Sequence, residues 1–262
     1  MSETVMVPIT RSTGAQVEET EDAVVLETPL TLYFNDEEIV TLLCSPAQIE
    51  ELALGFLLSE GFIRDLADLI AIAYDPWDKA VFVKGKNRAP DEEVMSKRFL
   101  SACCGKSRAS FAFANDARLA KPQVSATVIS LTDAYAYAAH LQTLPLFRAT
   151  GGVHSGGLAF RGQVLFTSYD IGRHNVFDKL FGQAFRARVN LADHVIFFSG
   201  RVSSEILLKV AKMNIPILVA RSAPTDLALT LARDLNITII GFARNDHLNI
   251  YTCPQRIITT AT

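Results

Sequence analysis

The second half of the chain alternates short apolar runs with amphipathic segments, and this pattern constrains the fold more than any other feature. Apolar runs of strand length are separated by segments with helical spacing. Strands that alternate with helices over short connections are typical of an α/β sheet covered by helices. The strand-like runs are residues 163–168, 194–199, 215–220, 237–242 and 248–252, and the helical segments are residues 175–185, 203–213 and 225–235.

The first part of the chain predicts a smaller α+β unit. Apolar runs at residues 30–34 and 39–44 flank the turn residues Asn35 and Asp36, which predicts a β-hairpin. Ser45 is then expected to cap a helix that ends at Gly61. Two short strands are expected at residues 69–74 and 80–83, while residues 1–20 are polar and without periodicity.

These segments divide the chain into four parts. We expect a mobile tail over residues 1–20, a small α+β domain over 21–94 and a hinge over 95–110. The hinge carries two adjacent cysteines and follows a charged stretch with Gly85 and Pro90. The remaining residues, 111–262, are expected to form the α/β domain, which begins with a helix near residues 131–141.

Composition excludes several classes of protein. Hydrophobic residues make up 49% and charged residues 20% of the 262 residues, which excludes a disordered chain. A net charge of −3 argues against a nucleic-acid partner. No apolar run approaches the roughly 20 residues of a membrane helix, and no signal peptide is recognisable. We therefore expect a cytoplasmic protein without a membrane partner.

The cysteines are the first candidates for chemistry. Four cysteines are too few and too scattered for a disulfide framework, which favours a reducing compartment. Cys103 and Cys104 are adjacent, and their Cα atoms, about 3.8 Å apart, are closer than the roughly 4.4 Å usual for a disulfide. Two free thiols are expected, with Lys106 and Arg108 favouring the thiolate. A pair of small buried residues is the alternative, and a zinc site is a poor fit.

Polar loops follow several of the predicted strands. Carboxyl ends of parallel strands meet at one edge of a sheet, where α/β proteins bind ligands, and backbone N–H groups there suit anions. The pattern predicts a site for a large anionic, nucleotide-like ligand, although a tight glycine turn, helix caps and a polar hairpin turn explain parts of it equally well. The loops contain Gly151, Gly152, His154, Arg173, His174, Arg201, Arg221 and residues 242–247.

Taken together and in this order, the motifs resemble the formate dehydrogenase accessory sulfurtransferase family. The resemblance runs from about Glu27 to Arg256. It is carried by Glu27-Thr28-Pro29-Leu30, Leu52-Ala53-Leu54-Gly55-Phe56-Leu57-Leu58-Ser59-Glu60-Gly61, Cys104-Gly105-Lys106-Ser107, Thr150-Gly151-Gly152-Val153-His154, Asp170-Ile171-Gly172-Arg173-His174-Asn175 and Ser199-Gly200-Arg201.

The resemblance implies a sulfur carrier that works through a cysteine persulfide. It would take sulfur from a cysteine desulfurase and pass it to the molybdenum or tungsten bis(molybdopterin guanine dinucleotide) cofactor for formate dehydrogenase. The C-terminal domain would be cytidine deaminase-like, but it lacks the deaminase zinc signature. Ser101 replaces the first cysteine of the family's usual C-G-x-C-G loop, so either Cys104 or Cys103 would carry the persulfide.

The resemblance also implies roles for the polar loops. Gly151, Gly152, Arg173 and Arg201 are the candidates for phosphate contacts, with His154 beside them and His174 as a proton shuttle or a phosphate ligand. The nucleotide would contact Phe242, Ala243, Arg244, Asn245, Asp246 and His247. No metal site is expected in the chain itself. The alternatives are a cofactor-binding chaperone without sulfur transfer and a nucleotide hydrolase, and the apolar helices leave room for a homodimer.

Overall fold

The computed structural model describes residues 2–86 and 120–259. The predicted hinge over residues 95–110, with Cys103 and Cys104, lies outside these ranges. The division into domains therefore stays a prediction. Within the described part of the chain, no helix is long and apolar enough to cross a membrane.

A six-stranded mixed sheet forms the larger unit. Its three central strands are parallel, and an antiparallel hairpin extends the sheet on one side while a further antiparallel strand closes the other. The predicted α/β class is confirmed, and each predicted strand of the second half is present within a few residues. In spatial order the strands are β13 (His247–Ile250), β12 (Thr238–Arg244), β11 (Ile217–Ala220), β10 (Val195–Phe198), β8 (His154–Phe160) and β9 (Gln163–Asp170).

Helices cover both faces of this sheet. Three helices bury their apolar stripes against one face, in a cluster that includes Leu180, Ile206 and Leu218. One helix covers the other face, where Tyr137 stacks on Phe197 with the ring centroids 5.4 Å apart. Ser203 and Thr225 each accept a hydrogen bond from a main-chain N–H in the first turn and so cap their helices. The helices are α4 (Arg173–Arg186), α5 (Ser204–Lys212) and α6 (Asp226–Asp234) on the first face and α2 (Leu131–His140) on the second.

The smaller unit is a four-stranded sheet with one helix on its inner face. Every second residue of the strand Thr28–Phe34 points toward the helix, and this buries Leu30, Leu32 and Phe34. Asn35 and Asp36 form the predicted turn, both with positive φ, as two-residue hairpin turns require. The sheet contains β4 (Glu37–Cys44), β3 (Thr28–Phe34), β6 (Ala80–Gly85) and β5 (Leu69–Asp75) in spatial order, and the helix is α1 (Ile49–Ser59).

Two glycines allow α1 and α4 to pack at very short range. A Cβ on Gly55 would lie 1.7 Å from the Asp178 carbonyl oxygen, and a Cβ on Gly182 would lie 2.0 Å from the Glu51 carbonyl oxygen. Real Cβ atoms never approach a backbone oxygen so closely, so any side chain here would force the helices apart. This contact joins the smaller unit to the larger one.

We expected a mobile tail over residues 1–20, and the prediction that it lacks regular secondary structure is wrong. These residues lie in a two-stranded antiparallel hairpin, β1 (Thr4–Thr13) and β2 (Gln16–Val25), with Gly14 at φ 64° in its turn. Both faces of a two-stranded ribbon meet solvent over most of its length, so polar residues outnumber apolar ones and no alternation marks the strands. The base of the hairpin is anchored where Tyr169 donates to Glu3 at 2.6 Å.

Two further predictions are corrected. Ser45 does not cap α1, because Gln48 holds the position before the helix without a side-chain cap bond. The tight turn expected at the glycine motif does not extend to Gly156 and Gly157, which lie inside β8. A Cβ on Gly157 would lie 2.2 Å from the Phe197 ring, so glycine is needed there for packing rather than for turning.

Three short elements had no clear signal in the sequence. They are α3 (Pro145–Thr150) and the paired strands β7 (Ile129–Ser130) and β14 (Ile257–Ile258). The strand pair is parallel and joins segments that are far apart in the chain, so no local sequence pattern predicts it.

Replacing Gly182 with Ala tests the close helix contact. Helix propensity alone predicts that this change stabilises the protein by about 1 kcal/mol. We expect instead a loss of at least about 2 kcal/mol, because the added methyl group overlaps the Glu51 backbone. The free energy of unfolding from urea titration is the measurement, and its sign decides between the two expectations.

Candidate functional site

The predicted convergence of loops at one edge of the large sheet is present. At this edge β10 and β11 end, and β8, which runs the opposite way, begins. Ser199 joins the neighbouring loops, since its Oγ accepts from Ser155 N–H at 2.9 Å and its carbonyl accepts from Ser222 Oγ at 3.2 Å. The main chain of Arg221 also donates to Phe198 O at 3.0 Å. These bonds hold the loops that carry Arg201 and Arg221 beside His154.

The polar motif at residues 170–179 has two parts, and the first is buried. Asp170 and Lys179 are fully buried and form an ion pair of 2.6 Å. Asp170 also accepts from the N–H of Ser45 at 3.1 Å, the N–H of Gly172 at 2.7 Å and the amide of Asn175 at 2.8 Å. Together these donors satisfy the buried carboxylate of Asp170. The side chains therefore connect the two sheets, and no ligand can reach them.

A second buried network fastens the same helix. Asp178 accepts from Ser59 Oγ at 2.9 Å and from the ammonium group of Lys209. Burial raises the pKa of Asp178, and Lys209 and Ser59 oppose this effect. Lys212 donates to the carbonyl of Ser59 at 2.7 Å. The end of α1 and the second half of α5 are therefore tied to the middle of α4 and to each other by polar side chains.

The second part of the motif faces the edge of the sheet. Arg173 Nε lies 3.3 Å from His174 Nε2, and the same nitrogen of His174 lies 3.3 Å from the Glu205 carboxylate. Burial lowers the pKa of His154, and the positive charge of Arg173 lowers it further. His154 is therefore a neutral ring at physiological pH, in contact with Phe198 and next to Gly200. This cluster combines one strong cation with two imidazoles.

The main-chain N–H groups of Gly151 and Gly152 are not free to bind an anion. Gly151 N–H donates to Phe147 O at 2.9 Å, and Gly152 N–H donates to Thr150 Oγ1 at 3.1 Å. Both glycines are exposed, and Gly151 has a positive φ of 61° as the C-cap of α3. Their role in phosphate binding stays a prediction. A phosphate could contact the exposed main chain of these glycines, but it could not accept from their N–H groups, which are already bonded.

Residues 242–247 form the end of β12 and the turn to β13. Phe242 has a positive φ of 53° and is 36% exposed, which is unusual for a bulky residue and is typical of functional sites. Ala243 is fully buried in the core, so neither its side chain nor its main chain is open to a ligand. Arg244, Asn245, Asp246 and His247 are exposed. The segment offers one aromatic ring and one guanidinium group at the edge of the sheet.

The two cysteines in the described ranges, Cys44 and Cys253, differ in how far their thiols are buried. Cys44 is fully buried, and burial raises the pKa of its thiol to about 12. It is therefore protonated and unreactive at neutral pH. Cys253 is partly buried, and its thiol donates to Asn236 Oδ1 at 3.5 Å. Within the described residues, no group of three or more His, Cys, Asp and Glu is placed to hold a metal ion.

Comparison with known proteins identifies the family. The model of the FdhD/NarQ family matches residues 25–258. The chain belongs to the FdhD/NarQ family. A sulfur carrier protein FdhD from Halalkalibacterium halodurans is 45% identical over 250 residues, which covers 94% of this chain and 93% of the relative. The sulfur carrier protein FdhD of Geobacillus kaustophilus is 42% identical over 254 residues, with 96% of each chain covered.

A solved structure shows the same fold. A Desulfotalea psychrophila protein, described as a candidate formate dehydrogenase accessory protein, matches with a TM-score of 0.79 at 23% identity. The match covers 98% of this chain and 100% of the other. The family resemblance predicted from the motifs is thus confirmed. The FdhD/NarQ match begins at the last residue of β2, so most of the N-terminal hairpin precedes it.

Sequence reasoning missed one polar residue at this edge. Gln142 lies in a 3-10 turn over Leu141–Thr143, directly after α2, and reaches Arg221. No signal in the sequence could have found it, because it lies in an ordinary polar stretch far from Arg221 along the chain. The turn that follows α2 therefore also contributes a side chain to this edge of the sheet.

The buried pair can be tested with Lys179→Met. We expect a loss of about 3–5 kcal/mol in the free energy of unfolding, because Asp170 would remain buried without its cation. The double variant Asp170→Asn with Lys179→Met is expected to recover part of this loss. Urea titration measures both effects.

The matched control is Arg186→Met on the same helix. Arg186 forms exposed pairs with Glu50 and Glu51 at 2.8 and 2.9 Å, and such pairs contribute less than about 1 kcal/mol. Equal losses in the two single variants would contradict the structural role assigned to the Asp170–Lys179 pair.

Proposed function

We propose that this chain is a sulfur carrier for the maturation of formate dehydrogenase. Support comes from its relatives, which are 40–45% identical over nearly the whole chain and carry the name sulfur carrier protein FdhD. An activity shared at this identity and coverage requires a reactive sulfur and a place for the acceptor. The edge of the large sheet, with its arginines and histidines, suits an anionic acceptor.

The sulfur would be carried by Cys104 or Cys103. A thiolate of this pair attacks the outer sulfur of a persulfide on a cysteine desulfurase. One S–S bond forms, the S–S bond on the desulfurase breaks, and the desulfurase cysteine leaves as a thiolate. No net oxidation occurs in this step. The other thiols fit this role less well, since Cys44 is buried with a raised pKa and Cys253 is partly buried.

Release of the sulfur needs a reductant. A second thiolate attacks the inner sulfur of the carrier persulfide, which breaks the S–S bond, liberates hydrosulfide and leaves a disulfide. The hydrosulfide is the form in which sulfur can become a ligand of a metal. A small thiol in solution supplies the two electrons, because Cys103 and Cys104 are too close together for an unstrained disulfide. Reduction of the resulting mixed disulfide by a second molecule of that thiol then restores the carrier.

The acceptor would be the molybdenum bis(molybdopterin guanine dinucleotide) cofactor, bound here as a substrate. Its phosphates are anionic, and Arg173, Arg201 and Arg244 bring positive charge to the edge of the sheet. His154 is held neutral by burial and by Arg173, so it can accept or donate a hydrogen bond without adding charge. His174, held between Arg173 and Glu205, would orient the guanidinium group of Arg173.

The remaining parts of the proposal concern fold and partners. We assign the C-terminal unit to a cytidine deaminase-like domain without deaminase activity, and its mixed sheet with helices on both faces is compatible with this assignment. The cysteine desulfurase is the proposed sulfur donor, and formate dehydrogenase is the proposed client. The homodimer stays a prediction.

The double variant Cys103→Ser with Cys104→Ser tests the carrier step. After incubation with a cysteine desulfurase and cysteine, we expect the wild type to gain about 32 Da, the mass of one sulfur atom, and the double variant to gain nothing. The two single variants identify which thiol carries the sulfur. Intact mass spectrometry, with and without a thiol reductant, is the measurement.

The matched control is Cys253→Ser, which removes a thiol of the described region and should load sulfur as the wild type does. Loading of the double variant would refute the assignment to Cys103 and Cys104. A wild type that binds guanine nucleotide but never loads sulfur would instead identify a cofactor chaperone.

A further inference from the structure

An open cleft lies where the end of α4 meets the smaller unit, and its volume is about 880 Å³. Partly buried apolar side chains of Leu66, Phe185 and Val189 line it, together with the exposed Arg64 and Arg188. The cleft is far from the carboxyl edge of the large sheet. Helix α4 begins at that edge, and its 14 residues extend about 20 Å before they reach the cleft.

Neither arginine of the cleft has an acidic partner in the described part of the chain. There, no carboxylate oxygen lies within 4.0 Å of the guanidinium group of Arg64 or Arg188. Two acids lie close by, but they bind the main chain of their own turn. Asp65 Oδ1 accepts from Ala67 N–H at 3.0 Å, and Asp68 Oδ2 accepts from Arg64 N–H at 3.1 Å. The cleft therefore presents two positive charges beside apolar surface.

The main-chain conformation of Arg188 is unusual for an arginine. Arg188 follows Ala187, the C-cap of α4, and has a φ of 56°, in the left-handed region that favours glycine. Its N–H donates to Phe185 O at 3.0 Å, and Val189 N–H donates to Ala184 O at 2.9 Å, the two bonds with which many helices end. Glycine would form these bonds without strain. Helix termination therefore does not explain an arginine at this position, whereas a bound partner does.

The described chain reaches the same corner of the molecule at Lys86. Lys86 N–H donates to the main-chain oxygen of Asp68 at 2.8 Å, directly after the turn that lines the cleft. Residues 87–119, which include Cys103 and Cys104, follow in the sequence. A protein that transfers sulfur to these thiols has to be held close to the segment that carries them. The proposed acceptor lies at the opposite end of α4, so a protein in the cleft leaves it accessible.

We propose that the cleft with Arg64 and Arg188 is the docking surface for the cysteine desulfurase, through a segment with an apolar side chain flanked by carboxylates. This inference rests on the proposed function, which names a desulfurase as the sulfur donor. The two guanidinium groups are complementary in charge to the carboxylates. The side chains of Leu66, Phe185 and Val189 would bury the apolar side chain. Because the cleft is open, it suits a segment of a protein better than an enclosed small molecule.

The double variant Arg64→Gln with Arg188→Gly tests this surface. It removes both charges, and glycine relieves the strain at position 188, so thermal unfolding should occur no lower than in the wild type. We expect KM for the full-length carrier to rise about tenfold, measured with a purified cysteine desulfurase and excess cysteine. The thiols are unchanged, so kcat should stay within about twofold. Intact mass spectrometry follows loading, and biolayer interferometry should show the same rise in Kd.

The matched control is Arg161→Gly in the turn between β8 and β9. Arg161 is also an exposed arginine with a positive φ, 48°, but it lies over the Phe160 ring, 5.0 Å from the ring centroid, and outside the cleft. The same charge is thus removed from the same backbone conformation, and KM should change less than about twofold. Added sodium chloride should raise Kd of the wild type more than Kd of the double variant.

Three outcomes overturn the docking surface. They are a KM that the double variant leaves unchanged, an equal rise of KM in Arg161→Gly, and a fall of kcat at unchanged KM. If the double variant unfolds at a lower temperature, Arg64→Gln alone replaces it. This single variant is expected to raise KM about threefold, half of the tenfold effect on a free-energy scale, and an unchanged KM again overturns the surface.

The failure of this surface can be told apart from the failure of the proposed function, because Kd is measured without sulfur transfer. Normal loading with a Kd that the double variant leaves unchanged overturns the docking surface alone. A wild type that binds the desulfurase more tightly than the double variant does, but never gains sulfur, overturns the carrier role alone. Absence of both binding and loading overturns both proposals.

Discussion

The buried ion pair between Asp170 and Lys179 is the interaction on which the position of the site depends. A carboxylate can lie in the interior only when its oxygens are fully satisfied, and here the donors come from Ser45, Gly172, Asn175 and Lys179. These donors belong to the loop after β4 and to the first turns of α4. The end of β9, the start of α4 and the edge of the smaller unit are thereby held in one arrangement.

The orientation of the neighbouring polar side chains follows from this arrangement. Because Asp170, Asn175 and Lys179 point into the junction, Arg173 and His174 occupy the other side of the first helical turn. There they meet His154 and Glu205 at the edge of the sheet. The close approach of α1 and α4 at Gly55 and Gly182 adds a packing constraint, so neither helix can shift without breaking buried polar bonds.

Charge distribution separates structural cations from those open to a ligand. Lys179 and Lys209 are paired with buried carboxylates, whereas Arg221 is held by a neutral amide and Arg244 by a main-chain oxygen. A cation that is oriented but not compensated is suited to bind an anion, because its donors are already held in place before the anion arrives. The same reasoning removes Cys44 from the chemistry, since burial favours its neutral thiol.

Local sequence patterns were sufficient for much of the fold. The turn at Asn35 and Asp36, the caps at Ser203 and Thr225 and the alternating strands and helices of the second half depend on residues that are neighbours in the chain, so a short window contains the whole signal. The N-terminal hairpin could not be predicted in this way, because the strands of a two-stranded ribbon exposed on both faces do not alternate apolar and polar residues.

The amino-acid sequence by itself determined strands β9 to β13, helices α2 and α4 to α6, the family motifs and the set of loops that meet at one edge of the sheet. Only the tertiary structure decided which polar side chains face a ligand. Ser45 was expected to cap a helix but binds Asp170, 125 residues away, and Gln142 had no visible role until the fold brought it to Arg221. Burial and pairing depend on residues that are distant in the chain, and a local pattern contains no information about which of them will meet.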